Sequence, residues 1–235
     1  YPDYIDEYIK ILNIPFKKTK TKQMSYLTVE EMMKLIGVID KSGEYGYRDY
    51  MIILLMYESA IRVSELINVR LIDFRFSKPY SIKIVGKGNK QRYVPLSEQF
   101  IEKVQEYVLS LNNRKLETDF LFTNHSNNKL TRAGVNHILN KYVTLARENN
   151  PSLFKENVTP HTLRHTKAMH LLQDDVNLIY IRDILGHSSI QTTEIYARAD
   201  SARLRQAIEK SYKQLSTETK CEWQDEEIIN WLKSF

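Results

Sequence analysis

Two stretches of this 235-residue chain gather residue types suited to binding phosphate. Pro160-His161-Thr162-Leu163-Arg164-His165 sets two imidazoles around one guanidinium. Leu185-Gly186-His187-Ser188, followed by Thr192-Thr193-Glu194-Ile195-Tyr196, adds a third imidazole and a phenol. Breaking a phosphodiester without a metal needs fixed positive charge on the non-bridging oxygens as the transition state develops. Arginine meets that need with planar, permanently charged, bidentate donors that lysine cannot copy. A phenol, with an unperturbed pKa of about 10, becomes a nucleophile only where its surroundings ease the loss of its proton. Histidines can accept that proton, and a lysine can return one to the departing oxygen. These residue types are sufficient for metal-free phosphoryl transfer to a tyrosine, and the resulting ester stores the bond energy, so rejoining needs no ATP.

A metal site is the competing use of the same residues. His161 and His165, four apart, share one helical face and could hold a metal. Against this, no glutamate follows His161 as in a zinc protease, Pro160 puts His161 at a helix start, and no third ligand has suggestive spacing. The expectation is no metal and no cofactor, with His161 facing a phosphate and His165 packing or bonding internally.

These side chains need elements to carry them. Thr28-Val29-Glu30-Glu31 fits a capping box ahead of apolar Met32, Leu35 and Ile36. A second helix is expected from about Tyr47 to Ser59, containing the run Met51–Met56, which is too short to cross a bilayer and reads as buried. Arg62-Val63-Ser64-Glu65-Leu66 begins another short helix. Ser81–Val85 alternates, Gly86-Lys87-Gly88-Asn89-Lys90 turns, and Arg92–Pro95 returns extended, which makes a β-hairpin with a lysine at its tip. That turn lacks the Gly-Lys-Ser/Thr ending of a nucleotide-binding loop. From Ser97 the pattern is helical, with breaks near Asn112-Asn113, His125–Asn128 and Asn149-Asn150-Pro151. The fold class expected is mostly α with a small antiparallel β-sheet, an α+β fold.

Arg62-Val63-Ser64-Glu65-Leu66, Gly86-Lys87-Gly88-Asn89-Lys90 and the two phosphate-handling stretches resemble, in that order, the phage-integrase family of tyrosine recombinases. The resemblance runs from about Leu27 to about Tyr196. His187 stands 23 residues after Arg164 and Tyr196 nine after His187, both similar to the family spacing. The resemblance implies the DNA breaking-rejoining fold of a tyrosine recombinase catalytic domain, of the transposon or mobile-element integrase type. It also implies roles: Arg62 and Arg164 as the arginines that clamp the phosphate, Lys87 as the hairpin lysine, His161 and His187 as the histidines, and Tyr196 as the nucleophile. Tyr196 is thereby set above Tyr142 and Tyr180, and Lys87 above Lys90. Glu65 matches an often acidic supporting position, and Lys167 departs from the aromatic residue frequent in relatives. The activity implied is site-specific recombination through a 3′-phosphotyrosine intermediate, for integration or excision of a mobile element. A topoisomerase or hairpin-forming resolvase would use the same chemistry without exchanging partners. A DNA-binding module that has lost catalysis and a plain helical interaction domain are the rivals from other classes.

Composition agrees with a polyanion partner. Hydrophobic residues at 42% and charged ones at 27% are ordinary for a globular chain and carry no disorder signature. Net charge is +5, and residues 214–235 carry −3 of it, which leaves +8 on residues 1–213. Lys17, Lys18, Lys20 and Lys22 form a basic connector that, with Lys90 and Arg92, is the expected DNA-contacting set. The expected organisation is the end of a preceding core-binding domain and linker over 1–22, a catalytic domain over 23–213, and a C-terminal amphipathic tail over 214–235. In the tail Ile228, Ile229, Trp231, Leu232 and Phe235 make an apolar stripe suited to docking on its own domain or on a neighbouring protomer, and the family resemblance implies the neighbouring protomer. The start at Tyr1 suggests that the chain was cut from something longer. One cysteine, Cys221, no export leader and no membrane span point to the bacterial cytoplasm. The partners that the family resemblance implies are double-stranded DNA carrying specific recombination sites and further copies of the chain, a dimer per site and a tetramer in synapsis.

Overall fold

The computed structural model describes residues 4–12, 24–111, 116, 118–154 and 156–199. Along these the elements are α1 (Ile5–Leu12), α2 (Val29–Gly37), α3 (Glu44–Glu58), α4 (Val63–Leu66), β1 (Phe74–Arg75), β2 (Ser81–Val85), β3 (Gln91–Pro95), α5 (Glu98–Ser110), α6 (Arg132–Asn149), α7 (Pro160–Gln173), α8 (Leu178–Leu185) and α9 (Gln191–Ala199). The α+β class expected from the sequence is the one found.

The helix ends follow local chemistry. Thr28 Oγ1 accepts from Glu31 N at 3.1 Å, and the Glu31 carboxylate accepts from Thr28 N at 2.8 Å, a full capping box. Thr159 caps α7 through Thr162 N, with Pro160 at the first helical position, where its missing N–H costs nothing. The long apolar helix begins at Glu44, three residues before the expected Tyr47. Gly43 provides its extended N-cap, and the polar first turn carries no apolar signal.

Helix α3 forms the centre. Met51, Ile52 and Ile53 are wholly buried, and α2, α4, α5, α6 and α7 pack around it. The sheet runs β1-β2-β3, all antiparallel, with Ile82 opposite Val94 and Ile84 opposite Arg92. Because side chains alternate faces along a strand, Phe74, Ile82, Ile84 and Val94 line the core face, and Arg92 shares it. Strand β1 was not expected, since two residues are too few to show a period of two. At the hairpin tip the chain makes a single 3-10 turn, Lys87–Asn89, with Gly88 at φ 72°.

A second, smaller apolar cluster sits beside the main core. Ala60, Ala168, Met169, Ile181, Leu185 and Tyr196 form it, each essentially inaccessible to solvent. Helices α7, α8 and α9 close around this cluster, and α8 also leans on β3.

Candidate active site

One turn of helix builds the first half of the site. Arg62 is the extended N-cap of α4, and Glu65 lies three residues on, so both side chains share a face. The Glu65 carboxylate accepts from Arg62 N at 2.9 Å and from Arg62 Nη1 at 2.9 Å. From β3, Arg92 Nη1 and Nη2 reach the same carboxylate at 3.0 and 2.9 Å, and Arg92 Nε donates to the Ile184 carbonyl. Burial alone would push the Glu65 carboxyl up, but hydrogen bonds and charge from Arg92 and Arg62 outweigh it and hold it below the usual value. Arg92, grouped by sequence with the DNA-contacting cations, has partners within the fold and also lines the cleft described below. The strand alternation turns it toward Glu65 and Ile184, and each terminal nitrogen keeps a second hydrogen.

Arg164 sits on α7, almost fully buried. Its Nη1 donates to the Ala60 carbonyl at 2.7 Å and its Nη2 to the Leu185 carbonyl. Burial, then the charges of Arg62 and Arg92, pull its pKa down to about 10, so it stays cationic at neutral pH. Each terminal nitrogen retains a second hydrogen for another acceptor.

The turn after α8 delivers the next group. Gly186 takes the left-handed conformation (φ 63°) that ends a helix, and His187 N returns to the Arg182 carbonyl at 3.1 Å. A side chain at position 186 would lie 2.9 Å from Arg92 Cδ, so this glycine answers both a backbone and a packing demand. The Gly186 carbonyl also lies 3.4 Å from Arg62 Nη2. His187 Nδ1 pairs with Thr193 Oγ1 at 3.0 Å. Burial, followed by the charges of Arg164 and Arg62, brings His187 down to about 4.

Thr193 and Tyr196 stand three apart on α9 and face inward together. The Tyr196 ring fills the small apolar cluster, and its hydroxyl meets His165 Nδ1 at 2.9 Å. Burial raises the phenol pKa, while the charges of Arg164 and Arg62 pull against that rise. His161, exposed at the start of α7, has its ring 6.4 Å from that of His165. An open cleft of about 1080 Å³ is lined by Arg62, Ser64, Asn68, Lys90, Arg92 and His187, among others.

The fold thus brings Arg62, Glu65, Arg164, His187 and Tyr196 into one electrostatic neighbourhood, with His161 at its edge and exposed Lys90 on its rim. Neither rival tyrosine is near it in bonding. Tyr142 donates to Asp49 at 3.1 Å, and burial and that carboxylate raise it to about 12. Tyr180 is 65% exposed on α8. The side chain of Lys87, residues Lys17, Lys18, Lys20 and Lys22, and the tail from 214 on lie outside the described residues. Sequence reasoning missed two contacts: His165 on Tyr196, and Thr193 on His187. The three-residue spacing of Thr193 and Tyr196 was the available signal for the second.

An antiparallel sheet beside a helical bundle, with two arginines, histidines and a tyrosine at their junction, is the architecture of tyrosine recombinase catalytic domains. Residues 25–203 match the phage integrase family, and the chain belongs to that family. It is 35% identical over 192 residues to the tyrosine recombinase XerD of Staphylococcus haemolyticus, covering 80% of this chain and 63% of that one. It is 36% identical over 188 residues to XerA of Pyrococcus horikoshii, covering 79% and 60%. The chain therefore spans less than two thirds of the length of these relatives. Among solved structures, the XerH site-specific recombinase bound to palindromic difH substrate, a post-cleavage complex, superimposes with a TM-score of 0.70 at 29% identity, over 83% of this chain and 57% of that one. The catalytic domain of bacteriophage HP1 integrase shares the fold, with a TM-score of 0.55 at 22% identity over 79% of this chain and 94% of that one.

Proposed function

We propose that this chain is the catalytic region of a site-specific DNA recombinase that cuts and rejoins strands through a phosphotyrosyl link on Tyr196. The observation that carries this is one buried phenol that feels the charge of two guanidiniums, Arg164 and Arg62, the second of which lines an open cleft together with His187. As the Tyr196 oxygen bonds to phosphorus, the bond from phosphorus to the 5′ oxygen breaks. The phenol proton passes to an imidazole, and the 5′ oxygen takes a proton from Lys87. The charge that builds on the non-bridging oxygens meets fixed donors already in place. Reversal by a 5′ hydroxyl from another strand rejoins the backbone.

The substrate is double-stranded DNA carrying a specific site, bound by two copies per site and four at synapsis. Residues 1–22 end a preceding DNA-binding domain, and residues 221–235 dock on a neighbouring copy, so deleting them reduces assembly on DNA while single-site cleavage persists. The work is done in the cytoplasm. No helix among the described residues is long and apolar enough to cross a membrane. Integration or excision of a mobile element is one use of this chemistry. The similarity to XerD and XerA favours a second, exchange between two like sites as in chromosome dimer resolution.

A nicked suicide duplex in EDTA tests the chemistry. Wild type is expected to form a denaturant-resistant protein–DNA band that Tyr196→Phe does not form. A band that persists in Tyr196→Phe refutes the assignment, and no band with any cognate duplex favours a binding module. Plasmids with two repeated sites then separate exchange, which yields recombinant circles, from simple relaxation.

A further inference from the structure

We infer that His165, outside the set of residues assigned from sequence, is a further catalytic residue of this site, holding the Tyr196 hydroxyl and taking its proton as the phenol attacks. This rests on the phosphotyrosyl reading above and names the proton acceptor within it.

Geometry singles out His165. The partner of the Tyr196 hydroxyl is His165 Nδ1, at 2.9 Å, with the rings 5.7 Å apart and inclined at 55°. That is the separation a proton transfer needs, with no intervening water. The two histidines assigned from sequence are placed otherwise. His187 Nδ1 is taken by Thr193 Oγ1, and His161 is exposed one helical turn away, with its ring next to that of His165 rather than Tyr196. The aromatic ring of Tyr196 is clamped by Ala60, Ala168, Met169, Ile181 and Leu185, so the hydroxyl is presented to one imidazole in a fixed direction.

The electrostatics explain why such a base would wait for DNA. Burial, followed by the charges of His161 and Arg164, brings His165 down to about 4. The groups that act on it are His161 and Arg164 on its own helix, His187 after α8, which senses its charge, and the phenol on α9. Without DNA the imidazole is neutral and the phenol keeps its proton. A phosphodiester entering the cleft brings negative charge that offsets those cations and raises the imidazole's proton affinity. The proton then moves from Tyr196 Oη to His165 Nδ1, the oxygen–phosphorus bond forms, and the 5′ oxygen departs.

Single-turnover cleavage of the suicide duplex tests this, with His165→Ala and His165→Asn compared to wild type. Asparagine keeps a polar atom near the Nδ1 position but cannot hold a proton, so it retains the packing and loses the base. Both variants are expected to slow adduct formation on the order of 100-fold at neutral pH, with DNA affinity unchanged. The same pair is then made with a trifluorinated tyrosine at position 196, whose phenol loses its proton more readily. If His165 takes the proton, the deficit shrinks to about tenfold or less. A wild-type rate in His165→Asn, or a deficit that the fluorinated phenol leaves unchanged, overturns the inference while the nucleophile stands. Failure of wild type itself to form any adduct overturns the phosphotyrosyl reading and this inference together.

Discussion

Replacing Glu65 with glutamine keeps the side-chain shape and removes one negative charge from between two guanidiniums. The Glu65 side chain is 4% exposed and that of Arg92 13%, so the pair they form is a buried one. Removing one partner of a buried pair leaves an uncompensated charge and costs about 3–5 kcal/mol. Glutamine retains one acceptor oxygen, which brings the expected loss to roughly 2–3 kcal/mol. The Arg62 pairing, with that arginine 35% exposed, adds at most about 1 kcal/mol. Urea denaturation at constant slope reads the loss directly. Arg92→Met alone leaves Glu65 with Arg62 only, and the double variant, which removes the isolated cation as well, is expected to recover about 2 kcal/mol relative to the summed single losses. Cleavage by Glu65→Gln falls at least tenfold, because Arg62 loses the anchor that aims it, while DNA affinity changes little. A loss below about 0.5 kcal/mol in Glu65→Gln, or strict additivity in the double variant, refutes the claim that this carboxylate organises the arginines.

Gly186→Ala is expected to lower both stability and cleavage, by about 1–2 kcal/mol in the former, since it forces a Cβ into a left-handed residue and against Arg92; wild-type melting and activity would contradict this. Acid should loosen the domain before most carboxylates titrate. His165 and His187 are both held at about 4, below the ordinary value, so their contribution is complete above about pH 6.5 and is lost as the pH falls from there towards 4. Discounted for partial exposure, each accounts for about 1–2 kcal/mol, and His187→Gln should flatten the urea midpoint between pH 7 and 4.5; a profile already flat in wild type would refute it. Tyr196→Phe keeps the ring in its apolar cluster and gives up one hydrogen bond, so its stability should stay within about 1 kcal/mol of wild type by melting, and a larger fall would disqualify it as a chemical control.

The residue types carried most of the site. Arginine, histidine and tyrosine suit the chemistry, and the resemblance of four ordered motifs to the phage-integrase family nominated Arg62, Arg164, His187 and Tyr196 as neighbours. The partners of those groups were harder to read, because each depends on a contact between distant segments. His165 was expected to pack or bond internally, and nothing local says that it bonds to a phenol 31 residues away. Arg92 was grouped with the DNA-contacting cations. Its position two residues from Val94 places it on the core face, where the buried Glu65, 27 residues earlier, and the Ile184 carbonyl accept its hydrogens. Strand β1 and the start of α3 were missed for simpler reasons, a strand of two residues and a polar first turn.

The central claim is that a single phenol, Tyr196, accepts the DNA phosphoryl group. Trimming the trapped adduct with nuclease and mapping it by mass spectrometry tests this most directly. The account predicts a nucleotide mass on the peptide bearing Tyr196, linked through its 3′ phosphate. The same mass on another side chain, such as the exposed Tyr180, or linkage through a 5′ phosphate, would contradict it.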